Sequence, residues 1–250
     1  MTVRQLSGTT ALVTGTSRGF GRATAVALVA LGAHVIGVAR SDAQLDELKR
    51  ELGDRFTSEL ADVSDPDVAH RLITDYRPQT VVLNAGANPV IGPLQEQTWE
   101  TFSTNWNTDV HQAFHFVREA LTTPLEPGSV VVSFSSAAAL RGSPLSGSYA
   151  GAKSTVRFIS AYGGAEAALR SLGQRYVAIL PVLTPETDLG MTGVTAYAER
   201  AGLSVENFEE QLGAILTPEQ VAKSVADVVT ENAYSADAYL LTSTELRPLD

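Results

Sequence analysis

The sequence predicts an α/β protein: a doubly wound, predominantly parallel sheet of seven strands with helices on both faces. Short runs apolar at nearly every position carry the first half of that expectation. "ALV" at 11–13, "VIGV" at 35–38, "VVL" at 81–83 and "VVV" at 130–132 read as parallel strands covered on both sides. The second half comes from their rotation with longer segments of helical character, which places crossover helices on the two faces of one sheet. The composition agrees: 250 residues, 44% hydrophobic and 18% charged, suit one large core. Nothing in it shifts sharply along the chain, so residues 1–250 are expected to form a single domain.

In chain order, the first strand occupies 10–14 and runs into "TGTSRGFG" at 14–21. A helix at 20–31 stops at Gly32, and a strand comes next at 34–39. The next helix, 43–52, stops at Gly53, since glycine supplies unhindered left-handed backbone where a helix ends. Then come strand 57–60, helix 67–76, strand 80–83, a long helix at 99–121, strand 129–134, a second long helix at 148–172 and strand 175–180. "TPEQ" at 217–220 offers an N-cap, a proline at the first helical position and a reciprocal capping glutamine, opening a helix at 218–229 before the last strand, 238–241. Between the sixth and seventh strands, 181–214 is a long insertion with short helical patterns. Its length beside the carboxyl edge of the sheet predicts a substrate lid, with an idle loop as the plainer alternative.

Charge and residue usage exclude several classes. The net charge is −10 and no basic cluster rises against it, so no nucleic-acid partner is expected. With no cysteine, disulfides, thiolate catalysis and zinc–thiolate sites are ruled out. The first residues lack the layout of a secretory signal. The uncharged stretch between Arg22 and Arg40 holds Gly32, His34 and Gly37, which reads as helix plus strand and not as a membrane span. A cytoplasmic protein without membrane partners is the expectation. His111 and His115 stand four apart without an H-E-x-x-H pattern, so no metal is expected. Trp99, Trp106, Phe114 and Phe116 are read as core or subunit-contact residues, because a base-stacking platform would want basic neighbours.

The chemistry concentrates in three places. In the turn after the first strand, Gly15, Ser17, Arg18, Gly19, Phe20 and Gly21 precede a helix whose N-terminal N–H groups and dipole favour phosphate oxygens. "NAG", Asn84, Ala85 and Gly86, comes after the fourth strand. "SSAAALRGSPLSGSYAGAKS" at 135–154 places a tyrosine four residues before a lysine, hence on one helix face, with Ser136 thirteen positions before Tyr149.

The spacing G-x-x-x-G-x-G, the "NAG" turn and the ordered Asn105, Ser136, Tyr149 and Lys153 together resemble the short-chain dehydrogenase/reductase family, over most of the chain. The resemblance implies a Rossmann-like fold and a tetrad of those four residues. Tyr149 would pass a proton to or from the reacting oxygen and Ser136 would polarise it. Lys153 would acidify the phenol and hold the nicotinamide ribose, and Asn105 would keep a water linked to Lys153. Ser135 and Asn107 are rivals by position; the family's spacing selects Ser136 and Asn105, with Thr108 in its small-residue position. Asp62, with Val63 beside it, would meet the adenine edge, and Asn84, Ala85 and Gly86 would border the cofactor. The second strand ends in Ala39 and Arg40 where an acid would hold the ribose hydroxyls of NAD. Arg40, with Arg18 as a second grip, favours the 2′-phosphate of NADP(H) over NAD(H); two solvent-facing arginines are the plainer alternative.

The chain departs from the family after Pro181, where Val182 replaces a glycine, and at its end, where the usual glycine-rich segment is missing. The threonine expected near the nicotinamide amide falls to Thr184 or Thr187, with Thr187 preferred. Val90, Ile91, Ala137, Leu140, Leu145, Leu189 and Met191 are candidate substrate-lining residues and Arg141 a polar anchor, with simple packing as the alternative. The resemblance also implies a homodimer or homotetramer built through the two long helices, where Ala161, Gly163, Gly164, Ala167 and Ala168 permit close approach. The expected function is reversible reduction of a small carbonyl compound to its alcohol with NADP(H). An NADP-binding regulatory or structural protein whose chemistry has faded, or a non-redox isomerase on the same scaffold, are the alternatives.

Overall fold

The computed structural model describes residues 6–249. One sheet organises them, in the order β3-β2-β1-β4-β5-β6-β7-β8. Its strands are β1 (Thr10–Thr14), β2 (His34–Ala39), β3 (Phe56–Leu60), β4 (Thr80–Leu83), β5 (Val130–Phe134), β6 (Arg175–Pro181), β7 (Ala238–Leu241) and β8 (Leu246–Pro248). Every pairing is parallel except the last, where Leu240 faces Arg247 across an antiparallel edge. The doubly wound sheet is therefore as expected, with an eighth strand added to the seven. β8 escapes periodicity because it is three residues long and its "LRP" is largely exposed.

The helices are α1 (Gly19–Ala30), α2 (Asp42–Leu52), α3 (Pro66–Tyr76), α4 (Trp99–Asn105), α5 (His111–Thr122), α6 (Ala138–Arg141), α7 (Gly147–Leu169), α8 (Asp188–Ala201), α9 (Val205–Leu212) and α10 (Pro218–Thr230). The alternation of strand side chains divides the core. Val13, Val35, Val130 and Val132 join the cluster under α1, α2 and α10, while Leu12, Ile36, Val81 and Val131 join that under α3, α5 and α7. β4 and β5 are buried at every position, which is why their sequence shows no polar alternation. The predicted capping box of α10 is present: Thr217 accepts from Gln220 N, and the Gln220 side chain accepts from Thr217 N.

One helix differs from the sequence reading. The helix expected at 99–121 is interrupted by a π-helical segment, Trp106–Val110, between α4 and α5. A π turn carries one extra residue, so it rotates the side chains of the succeeding turns out of the 3.6 phase. The insertion at 181–214 contains α8 and α9, and α8 starts beside the glycine turn after β1. Reversal of strand order between β1 and β4 leaves a crevice at their carboxyl ends, where ligands enter such sheets.

Candidate active site

A cleft of about 610 Å³ fills that crevice. Its first wall is the glycine turn. Gly15 holds φ at +71°, and a Cβ there would stand 2.8 Å from Ala85 Cα, so only glycine lets the turn meet the "NAG" segment. The two are tied by hydrogen bonds. The Thr14 hydroxyl accepts from Asn84 N (2.9 Å) and Ala85 N (3.1 Å), and the Asn84 amide donates to Thr14 O (3.1 Å) and Gly15 O (3.2 Å). Gln112 completes the knot by accepting from Thr14 Oγ1 and donating to Ala85 O at 2.8 Å. The Asn84 side chain thus braces the turn, and the residue lines the cleft. Thr14 and Gln112 carry no motif that marks this role in sequence.

The N-terminus of α1 has no side-chain cap, so its first N–H groups are left for a ligand. Ser17, Arg18, Gly19 and Phe20 line the cleft, and Phe20 stacks on Phe134 at 6.1 Å between centroids. Gly21 supports the turn: a Cβ there would lie 2.2 Å from Gly15 O. Arg18 pairs with Asp188 at the start of α8, linking the glycine turn to the insertion. Arg40 is 70% exposed, 3.9 Å from the Asp62 carboxylate. That carboxylate accepts from Ser64 N and Oγ, hydrogen bonds that hold its pKa below the usual aspartate value. Val63, Ala85 and Gly86 also line the cleft.

The opposite wall comes from β5, α7 and the loop between them. Ser135 is buried and its hydroxyl donates to Lys153 O at 2.7 Å, whereas half-buried Ser136 faces the cleft and accepts from Ala138 N at 3.2 Å. Tyr149 is half-buried in the same wall, with Lys153 Nζ 5.6 Å from its ring centroid. Lys153 donates to Phe134 O at 3.0 Å and forms an ion pair with Asp109 Oδ2 at 3.0 Å. Burial pulls the lysine's pKa down, but the charges of Asp109 and Tyr149 outweigh it and hold the value above normal.

Asn105 makes no direct hydrogen bond to Lys153 among the described residues. It is fully buried outside the cleft lining, its amide donates to Ala87 O at 2.7 Å, and its Oδ1 has no hydrogen-bond partner among the described residues. Asn107 is exposed, and its amide donates to Ser103 Oγ at 3.4 Å. The π segment turns Asp109 inward instead. Its Oδ1 accepts from Ala87 N at 2.9 Å, and it is the residue of this broken helix that reaches the lysine.

At the mouth, Pro181, Thr184 and Thr187 line the cleft. The Thr184 hydroxyl is committed to Leu216 O at 2.6 Å. Thr187 caps α8 by accepting from Gly190 N, and its methyl group lies opposite Gly19. Ile91, Ala137, Arg141 and Leu189 line the cleft. Val90, Leu140, Leu145 and Met191 do not: Val90, Leu140 and Met191 are turned to solvent, and Leu145 is buried beneath its loop. Tyr197, which sequence reasoning missed, reaches from α8 to hydrogen-bond Ser143 and Ser146, joining the insertion to the loop before α7.

His111 and His115 meet edge to face at 5.3 Å, and burial, then the charge of His111, lowers the pKa of His115. Among the described residues, no group of His, Asp and Glu gathers as a metal would require, and no helix is long and apolar enough to cross a membrane.

The sequence profile of the short chain dehydrogenase family matches residues 9–195. L-xylulose reductase from Mesocricetus auratus is 33% identical over 129 residues, 50% of this chain and 52% of that protein. Versicolorin reductase from Emericella nidulans is 30% identical over 161 residues, 61% of each. A short-chain type dehydrogenase/reductase of Sinorhizobium fredii is 29% identical over 236 residues, 90% of this chain and 41% of that one. The chain spans about half the length of the curated relatives it matches. Among solved structures, a 3-ketoacyl-(acyl-carrier-protein) reductase from Brucella melitensis, crystallised with NADH, superposes with a TM-score of 0.79. That match is 23% identical and covers 95% of this chain and 98% of the other, a likeness of fold.

Proposed function

This chain belongs to the short-chain dehydrogenase family, and from that premise we propose that it is an oxidoreductase interconverting a small carbonyl compound and its alcohol, with NADP(H) preferred over NAD(H). The observation that carries the reading is the meeting of two walls in one cleft: an uncapped helix N-terminus behind a glycine turn, and a Ser136–Tyr149–Lys153 cluster facing it. The reductase names of the relatives agree with the direction. The cofactor preference rests on Arg40 and Arg18 at the cleft edge and on the lack of an acid at the end of β2.

The glycine turn fits a dinucleotide, because its backbone approaches the cleft without Cβ atoms and the α1 amides have no side-chain cap. Gly15, Ser17, Gly19 and Phe20 would border the pyrophosphate, Asp62 and Val63 the adenine, and Thr187 the nicotinamide amide. A bound nicotinamide supplies hydride chemistry. Ser136 and Tyr149 hydroxyls hold the carbonyl oxygen, polarising it and fixing its carbon. Tyr149 gives its proton to that oxygen on reduction and takes it back on oxidation. The Lys153 ammonium beside the ring would balance the negative charge that builds on the Tyr149 oxygen as its proton leaves.

Two experiments test this reading. NADPH consumption, monitored by absorbance against a panel of ketones and aldehydes, should reveal turnover. Tyr149→Phe should lower kcat at least about a hundredfold while leaving NADPH affinity nearly unchanged. Firm NADPH binding without turnover of any carbonyl would instead favour a regulatory or structural role. The exposed aromatic faces of α4, α5 and α7 support a homodimer or homotetramer.

A further inference from the structure

A buried cation is costly where nothing balances it, and Lys153 is such a cation. Its side chain is 7% exposed and that of Asp109 1%. An ammonium in such a site loses its hydration and ordinarily discharges instead of staying unpaired. Asp109 is fixed at its other oxygen by Ala87 N, 2.9 Å away, and the backbone of Gly86 leaves it room: a Cβ there would stand 2.9 Å from Oδ2. On the far side, the Phe134 carbonyl accepts from Nζ.

We propose that Asp109 is a positioning residue whose carboxylate, clamped by the Ala87 amide, serves as the fixed counter-ion that keeps Lys153 charged beside Tyr149. The proposal rests on the reading of Tyr149 and Lys153 as the proton-transfer pair, and it adds a group that no motif in the sequence pointed to. The charged and titratable groups facing Lys153 are Asp109 from the π segment and Tyr149 from α7 itself. β5 and its end contribute the neutral Phe134 carbonyl and the Ser135 hydroxyl, and the loop after β4 contributes neutral Gly86 and Ala87. With Asp109 in place the lysine stays protonated into the alkaline range. With an amide there, desolvation acts against a much smaller opposing field, and the amine loses its proton at lower pH.

The chain has three lysines, Lys49, Lys153 and Lys223, so protein labelled with ¹³C at lysine Cε gives a spectrum that Lys49→Arg and Lys223→Arg assign. In the wild type, the Lys153 signal should titrate above the ordinary lysine value of about 10.4. In Asp109→Asn its midpoint should fall by at least about one pH unit, a tenfold change in proton affinity. The alkaline limb of kcat/KM for carbonyl reduction should move down with it, while activity on the acid side is retained. A wild-type midpoint at or below the ordinary value overturns the proposal, as does an unchanged midpoint in the variant or a uniform loss of activity at every pH. If Asp109→Asn does not fold, the wild-type titration alone decides. If no NADPH binding and no carbonyl turnover is found while the midpoint shifts as stated, the functional reading falls and the counter-ion stands.

Discussion

The proposed preference for NADP(H) turns on a small charge arrangement at the cleft edge, Arg40 beside Asp62. The arginine is exposed and lies 3.9 Å from a carboxylate that Ser64 keeps ionised, so each partly screens the other in the free protein. A 2′-phosphate carries more charge and more acceptor oxygens than that carboxylate, and a guanidinium fork binds it with charge-assisted hydrogen bonds. Solvent weakens such a contact, which places Arg40→Ala near the low end of the range for charged hydrogen bonds. The expected result is a loss of about tenfold in NADPH affinity, with NADH affinity changed less than about twofold, read by fluorescence titration of both cofactors. Equal weakening of the two would remove the basis for preferring NADP(H).

Among the elements, the junction of the glycine turn with the segment after β4 depends on one hydroxyl. Thr14 Oγ1 accepts from two backbone amides, at 2.9 and 3.1 Å, in a buried position. Valine keeps the shape and leaves both amides without that partner. Thr14→Val should therefore cost about 2 kcal/mol, seen as a lower urea midpoint with an unchanged slope, and should loosen cofactor binding. The glycines and "NAG" of this junction are legible in sequence because close backbone approach demands particular residue types. Thr14 is not, since nearly any strand tolerates a threonine. The same difference explains Asn105 and Asp109. Hydrophobic period revealed a long helix, but the extra residue of a π turn leaves no compositional mark and changes which side chains point inward. Strands β1, β2, β4, β5, β6 and β7 were legible because burial on both faces suppresses polar alternation, and β8 was not because it is short and exposed. Val90 and Leu145 fell outside the cleft for a related reason: on an irregular loop, an apolar side chain in sequence says nothing about its direction.

For the whole molecule, the outstanding surface feature is apolar. Trp99 is 77% exposed, Phe158 66% and Leu169 80%, and Phe114 and Tyr162 are about half exposed, all on α4, α5 and α7. The small residues of α7 do not account for this face alone, because Gly163 and Ala167 are turned inward, with Gly163 against Val117 and Tyr176 of the same chain. Phe158 and Tyr162 stand one helical turn apart with rings 6.0 Å between centroids, making a ridge on the outer side of α7. Exposed large aromatics gathered on adjacent helices favour pairing with an identical face, which two-fold symmetry satisfies on both subunits at once. Opposing it is a net charge of −10 on each copy, whose repulsion is screened over about 8 Å at physiological salt. Burial should win at ordinary ionic strength and assembly should tighten as salt rises. Sedimentation equilibrium should find a dimer or tetramer, and Phe158→Glu with Tyr162→Glu should give a monomer with unchanged far-UV circular dichroism. A wild-type monomer at every salt concentration, or assembly undisturbed by the two glutamates, would remove this face from the account of how the subunits meet.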